Sequence, residues 1–127
     1  MIVINGLTNE IVCVFEGKGS VHDFTLYKQS GIHILDRILL VGDKGFQGIR
    51  DLHASSLTPY KKPRNGSLTP EQKQFNSELS AFRICIEHTN RKIKRFKIMQ
   101  YRYRNKQHKH LLRISLLCGI YNYELKF

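Results

Sequence analysis

Acid is what this sequence has least of. Ten Asp and Glu stand against twenty-one Lys and Arg among 127 residues, a formal charge of +11. The shortage is local. Residues 1–82 hold nine Lys/Arg against eight Asp/Glu, and in residues 114–127 Lys126 cancels Glu124. Residues 83–113 hold eleven Lys/Arg against Glu87 alone. Such a segment repels itself unless a polyanion or many counterions neutralise it. Nucleic acid is therefore the expected partner, ahead of a solvated or lipid-contacting basic face, because Phe96, Tyr101 and Tyr103 interleave the cations as stacking groups would.

Cysteine is equally uninformative in number and telling in placement. Cys13, Cys85 and Cys118 are odd in number, far apart and without a C-x-x-C pair, which excludes a disulfide framework and a structural zinc site. No apolar run reaches the length that spans a bilayer. The apolar starts at Met1–Ile4 and Ile11–Phe15 are of strand length and lack a basic leader, so no signal peptide is expected. A reducing, soluble, cytoplasmic setting without membrane contact fits these absences. The length suits a single domain, residues 1–127, with one modest core.

What is present alternates short β-rich runs with helical patterns, which predicts an α/β or α+β class. Residues 1–5 and 10–16 read as an antiparallel hairpin joined through Gly6–Asn9. Ser20 is placed to cap a short helix through Gln29, which Gly31 stops. Ile38–Val41 reads as a strand buried on both faces, ending abruptly in Gly42-Asp43-Lys44-Gly45. A turn or short helix over 48–53 and a brief strand over 57–61 follow, then a basic loop at 62–67.

The longest predicted helix runs from Thr69 to about Met99. Thr69 caps it, Pro70 suits its first position, and Gln72 completes a capping box. Phe75, Leu79, Phe82, Ile86, Ile93 and Phe96 form its apolar stripe. Arg83, Glu87, Arg91 and Lys94 line an adjacent edge at helical spacing, so one carboxylate sits among three cations. A basic connector over 100–109 leads to a last helix over 111–125, apolar most of the way round and so expected to be buried.

Two acids could carry chemistry. Asp43 stands past the carboxyl end of an expected interior strand, where open α/β sheets place ligands, although it could equally begin a turn. Glu87 alone would read as a surface ion pair with Arg83 or Arg91, worth a few tenths of a kcal/mol. Together, carboxylates from a strand end and a facing helix can hold a pair of Mg²⁺ ions for phosphodiester cleavage, a hard cation that takes oxygen ligands.

Three motifs then stand in order: G-K-G-S-V-H-D-F at 17–24, L-L-V-G-D-K-G-F-Q-G-I at 39–49, and R-I-C-I-E-H-T-N-R-K-I-K-R-F-K-I at 83–98. This order resembles the catalytic core of DDE transposases of bacterial insertion sequences, of the type grouped with the Harbinger-like DDE superfamily endonucleases. The resemblance implies an RNase H-like fold, two divalent ions (Mg²⁺ or Mn²⁺), and DNA, the element ends and target, as substrate. It maps the second catalytic Asp to Asp43 and the Glu to Glu87, both metal ligands. Arg83, Glu87 and Lys94 match the Y-x2-R-x3-E-x6-K signature of related transposases, with Ser80 in place of the Tyr. Arg83, Arg91, Lys92, Lys94, Arg95, Lys97, Arg102 and Arg104 are the candidate DNA contacts.

The family's first Asp lies upstream of the hairpin that begins here at Met1, so no residue of this chain takes that role. Asp23 is expected to act locally, as a cap or hydrogen-bonding group beside the site, and His22 as a structural hydrogen-bonding residue. The expectation is an incomplete RNase H-like domain without its first strand, cleaving weakly or not at all, and partnered by a missing amino-terminal part or a full-length transposase. The alternative is a non-catalytic DNA-binding or regulatory fragment. A structural protein of an RNA particle is a third reading, which leaves Asp43 and Glu87 unexplained.

Overall fold

A computed structural model describes residues 1–102, 104 and 109–127. The expected stacking role of Tyr103 and the connector positions 105–108, with Lys106 and His108, lie outside the described residues. The chain divides into two compact units, one of residues 1–17 with 84–127, the other of residues 18–83.

The first unit is built on the hairpin of β1 (Ile2–Ile4) and β2 (Ile11–Val14). Its antiparallel register pairs Ile2 with Val14, Val3 with Cys13 and Ile4 with Ile11, with an irregularity after Val3. The turn works through asparagine. Asn5 Oδ1 accepts the Leu7 and Thr8 N–H groups, and Asn9 adopts φ 61°, a left-handed conformation that asparagine tolerates. Two strands alone are marginal in water, and α4 (His110–Glu124) supplies the missing cover. Ile11, Ile93, Ile114, Cys118 and Tyr121 form the core, flanked by Ile4, Val14, Met99 and Leu125. Burial pushes the Cys118 thiol pKa up.

Two polar links tie this core together. The Asn122 side chain accepts the Ile11 N–H at 2.8 Å and donates to the Ile11 carbonyl at 2.8 Å. The Thr89 hydroxyl meets the Tyr121 hydroxyl at 3.1 Å inside the core. The last helix is less buried than expected. Ile114, Cys118 and Tyr121 face inward, while Leu112 and Leu116 are exposed, because the unit offers only one side against which to pack.

The second unit opens with α1 (Asp23–Gln29). His22, not Ser20, holds the cap position, with no side-chain cap bond. Tyr27 is buried, which raises its phenol pKa, and packs with Phe24 around Phe46 at ring distances of 6.4 and 5.8 Å. Gly31 at φ 66° follows the helix, as a stop should.

The strand expected over 38–41 is only β3 (Leu40–Val41), parallel to β4 (Ser56–Leu57). Ile38 and Leu39 are 47% and 57% exposed rather than interior. The physical reason is the neighbourhood: among the described residues β3 has one partner strand, so nothing covers its second side. Two 3₁₀ turns, Lys44–Phe46 and Ile49–Asp51, fill the connection. There the buried His53 donates its Nε2–H to the Ile38 carbonyl at 2.7 Å.

The long helix, α2, spans Pro70–Ile93 and carries residues of both units. Its capping box is formed as expected: Thr69 N–H donates to Gln72 Oε1 at 3.1 Å and Gln72 N–H to Thr69 Oγ1 at 3.2 Å. A backbone N–H and the Thr69 hydroxyl hold the Glu71 carboxyl below its ordinary pKa. In the second unit Asn76 clamps Tyr60, accepting its N–H at 2.8 Å and donating to its carbonyl at 3.0 Å.

The helix ends before Met99. A turn follows Ile93, and α3 (Lys97–Gln100) begins anew after Phe96, whose backbone is extended. Arg91, Lys92, Lys94, Arg95 and Lys97 crowd that break. Like charges three and four positions apart oppose helix continuation, whereas the carbonyls of a helix end attract them. Phe82 and Phe96, expected on the apolar stripe, are exposed, and Thr89 is buried in their stead.

Replacing Asn122 by Ala leaves both backbone groups of Ile11, a residue only 7% exposed, without that partner. We expect a loss of about 1–3 kcal/mol in urea unfolding. Ser115→Ala, whose hydroxyl bonds only its own helix at the Leu111 carbonyl, should stay within about 0.5 kcal/mol of wild type.

Candidate functional site

Asp43 follows β3 directly and is positioned by tight local packing. A Cβ on Gly42 would lie 2.8 Å from Phe46 Cβ, so glycine is what lets the chain fold back onto that ring. Asp43 then caps the Lys44–Phe46 turn, its Oδ1 accepting the Gly45 N–H at 2.7 Å. That is the turn-starting role its local sequence allowed. The other carboxylate oxygen makes no hydrogen bond among the described residues.

Around it lies an open cavity of about 570 Å³ lined by Gly19, Ser20, Val21, His22, Asp23, Asp43 and Gly45. The first two sequence motifs thus meet within one unit. The His22 ring rests against Gly45, where an added Cβ would come within 2.8 Å of ring Cε1 and 3.0 Å of Asp43 Oδ1. His22 was expected to hydrogen-bond, yet its ring makes no hydrogen bond among the described residues and acts by packing instead. Asp23 does not cap α1; it sits in the first turn, where its charge favours the helix amino terminus.

Glu87 lies in the other unit, exposed on α2. It lines a cavity of about 490 Å³ with Asn90, Arg91, Lys94, Arg95 and Gln100. Gln100 Nε2 donates to the Lys94 carbonyl at 2.7 Å, which folds α3 back against the end of α2 and shapes that cavity. Asn90 and Gln100 carry no charge, and nothing in the sequence pattern marked them. Among the described residues Glu87 forms no ion pair with Arg83 or Arg91; the ion pair found is His110 with Glu16, at 2.6 Å.

The candidate DNA contacts divide accordingly. Arg91, Lys94 and Arg95 gather at the Glu87 cavity. Lys92 instead places its ammonium 5.8 Å from the centre of the Tyr121 ring, within cation–π range. Lys97, Arg102 and Arg104 are exposed beyond the helix break, Tyr101 is exposed among them, and Arg83 is half-buried one turn before Glu87.

As ligands for a hard divalent cation, Asp43 and Glu87 offer the right atoms, carboxylate oxygens. Their number falls short. The described residues contain no group of three His, Cys, Asp or Glu able to hold a metal, so no catalytic step through a metal is derived from them.

Against this geometry the sequence pattern of the DDE superfamily endonuclease family matches residues 1–122. The chain is also 46% identical over 124 residues to a probable transposase for insertion sequence element IS702 from Microchaete diplosiphon. The match covers 98% of this chain and 45% of that relative, so the chain spans less than half of the relative's length. No solved structure matches the chain.

The turn that carries Asp43 gives a direct test. Gly42→Ala should cost about 1–3 kcal/mol in urea unfolding, because Phe46 Cβ is close to backbone and cannot swing clear. Gly45→Ala should cost less, since the exposed His22 ring can move; a displaced His22 signal in the NMR spectrum would report that movement.

Proposed function

The chain belongs to the DDE superfamily endonuclease family, and on that premise we propose that it is a DNA-contacting portion of a transposase that does not cut DNA by itself. Three things support the reading: the match over residues 1–122, the gathering of Arg91, Lys94 and Arg95 beside Glu87, and the confinement of nearly all excess charge to residues 83–113. The second carries most weight, because phosphate binding needs cations without intramolecular partners.

In this reading the two small sheets are parts of an incomplete RNase H-like sheet. Asp43 and Glu87 are the catalytic carboxylates that the family would use to hold divalent ions, Mg²⁺ or Mn²⁺. Those ions, when bound, activate water and stabilise the leaving oxygen of a phosphodiester. The chain's own cations act on the backbone: Arg91, Lys94 and Arg95 with Arg83, Lys92, Lys97, Arg102 and Arg104 hold phosphates, and exposed Tyr101 is available to stack on a base. The donor shortage favours a second role too. A fragment that binds DNA without cleaving would occupy element ends, either alone or beside a full-length transposase or its missing amino-terminal part.

Binding should be electrostatic. Fluorescence anisotropy on duplex DNA over a salt series should give a log–log slope that shrinks by about 0.9 for each phosphate contact removed. Arg91→Ala, Lys94→Ala and Arg95→Ala should each shrink it, while Asp43→Ala and Glu87→Ala leave affinity intact. A slope that ignores the cations would remove the basis for this interface.

Cleavage is the second test. With Mg²⁺ or Mn²⁺, the isolated chain should not nick duplex carrying the ends of the related insertion element. Robust nicking that Asp43→Ala abolishes would show that two carboxylates suffice after all.

A further inference from the structure

The last helix has two apolar faces, and the fold uses one. Ile114, Cys118 and Tyr121 are buried against β2 and α2, whereas Leu112, Leu116 and Tyr123 are 66%, 65% and 64% exposed. At about 3.6 residues per turn, Leu112, Leu116, Gly119 and Tyr123 fall on one stripe roughly opposite the buried one, with Ile120 and Phe127 on its margin. The Tyr123 and Phe127 rings pair there at 5.0 Å, facing solvent. A helix apolar all round is ordinarily buried all round.

At the middle of this stripe stands Gly119. A Cβ there would meet nothing within 4 Å, so the fold of its own chain does not require the glycine. A glycine inside a helix costs roughly 1 kcal/mol relative to alanine, and close approach of a second backbone is a physical use for it.

We propose that this face is the contact between two copies of the chain, α4 crossing α4 in antiparallel fashion at Gly119. The stripe is self-complementary. A two-fold axis at Gly119 carries Leu116 of one copy toward Tyr123 of the other, and Leu112 toward Phe127, as an isologous interface requires. The charges agree as well. Arg113 and Glu124 lie about three turns apart on the same edge of the helix. The same axis sets Arg113 of one copy beside Glu124 of the other, twice over. The stripe itself carries no cation, so it is separate from the surface that would meet DNA. The proposal concerns residues of a single unit and stands whether or not the DNA reading does.

Light scattering coupled to size exclusion tests it, on nuclease-treated protein at high salt so that bound nucleic acid adds no mass. The expected mass rises with concentration from that of the 14.9 kDa chain to twice that value. Leu116→Lys should weaken dimerisation at least tenfold with an unchanged circular dichroism spectrum. Arg113→Glu should weaken it, and adding Glu124→Arg should restore it; rescue of that kind is specific to an antiparallel pair. A wild-type chain that stays monomeric up to about 1 mM overturns the proposal, as does a dimer indifferent to Leu116→Lys. A monomer that binds the unmatched part of the related transposase through this stripe overturns it in favour of that occupant.

Discussion

One side-chain amide completes the first unit. Ile11 sits on the outer edge of a two-stranded hairpin, where its N–H and C=O would otherwise face an apolar helix, and an unpaired buried backbone group costs about 1–3 kcal/mol. Asn122 answers both groups at 2.8 Å each, as a neighbouring strand would. With the edge satisfied, Ile114, Cys118 and Tyr121 can close over Ile11, and Tyr121 in turn reaches the Thr89 hydroxyl on α2. The placement of Glu87, half a turn before Thr89 on the same helix, follows from that chain of contacts.

The second unit repeats the device. Asn76 exchanges the same pair of bonds with Tyr60, and the Tyr60 ring lies edge-on to Phe75 at 5.3 Å. In both units a helix is fastened to an extended segment by one amide and an aromatic or aliphatic neighbour. Small sheets have few ladder bonds to share, so a bidentate side chain does work that a longer strand would otherwise do. The loop holding Asp43 depends on this second fastening through Gln47, whose side chain donates to the Pro59 carbonyl beside Tyr60.

Local rules made much of this readable in advance. The hairpin, the Thr69–Gln72 capping box, the Gly31 stop and the final helix each announce themselves through neighbours within a few residues, and all four are present. What was not readable depends on distant partners. Asn76 and Asn122 look like ordinary helix-surface residues until the segment they clamp is known. Ile38 and Leu39 read as interior because hydrophobicity reports what a strand would bury, not whether a neighbour is there to bury it. The site divides in the same way. Asp43 and Glu87 were marked by motif and spacing, while the approach of His22 and Asp23 to Asp43, and the role of Gln100 in shaping the Glu87 cavity, arise from turns that sequence does not encode locally.

Stability supplies no reason for Glu87. It is exposed, unpaired and placed among cations whose own best position is already set by the carbonyl end of α2. A surface ion pair there would contribute only about 0–1 kcal/mol even if it formed. The cations are favoured at a helix end without any acid beside them, and phosphate would neutralise them better than one carboxylate could. A lone acid within a phosphate-binding surface weakens that surface unless something positive sits between the two. The arrangement is therefore physically coherent only where a further cation is shared by carboxylate and phosphate. In this chain the carboxylates to hold that cation are too few, whereas the basic ground around them is complete.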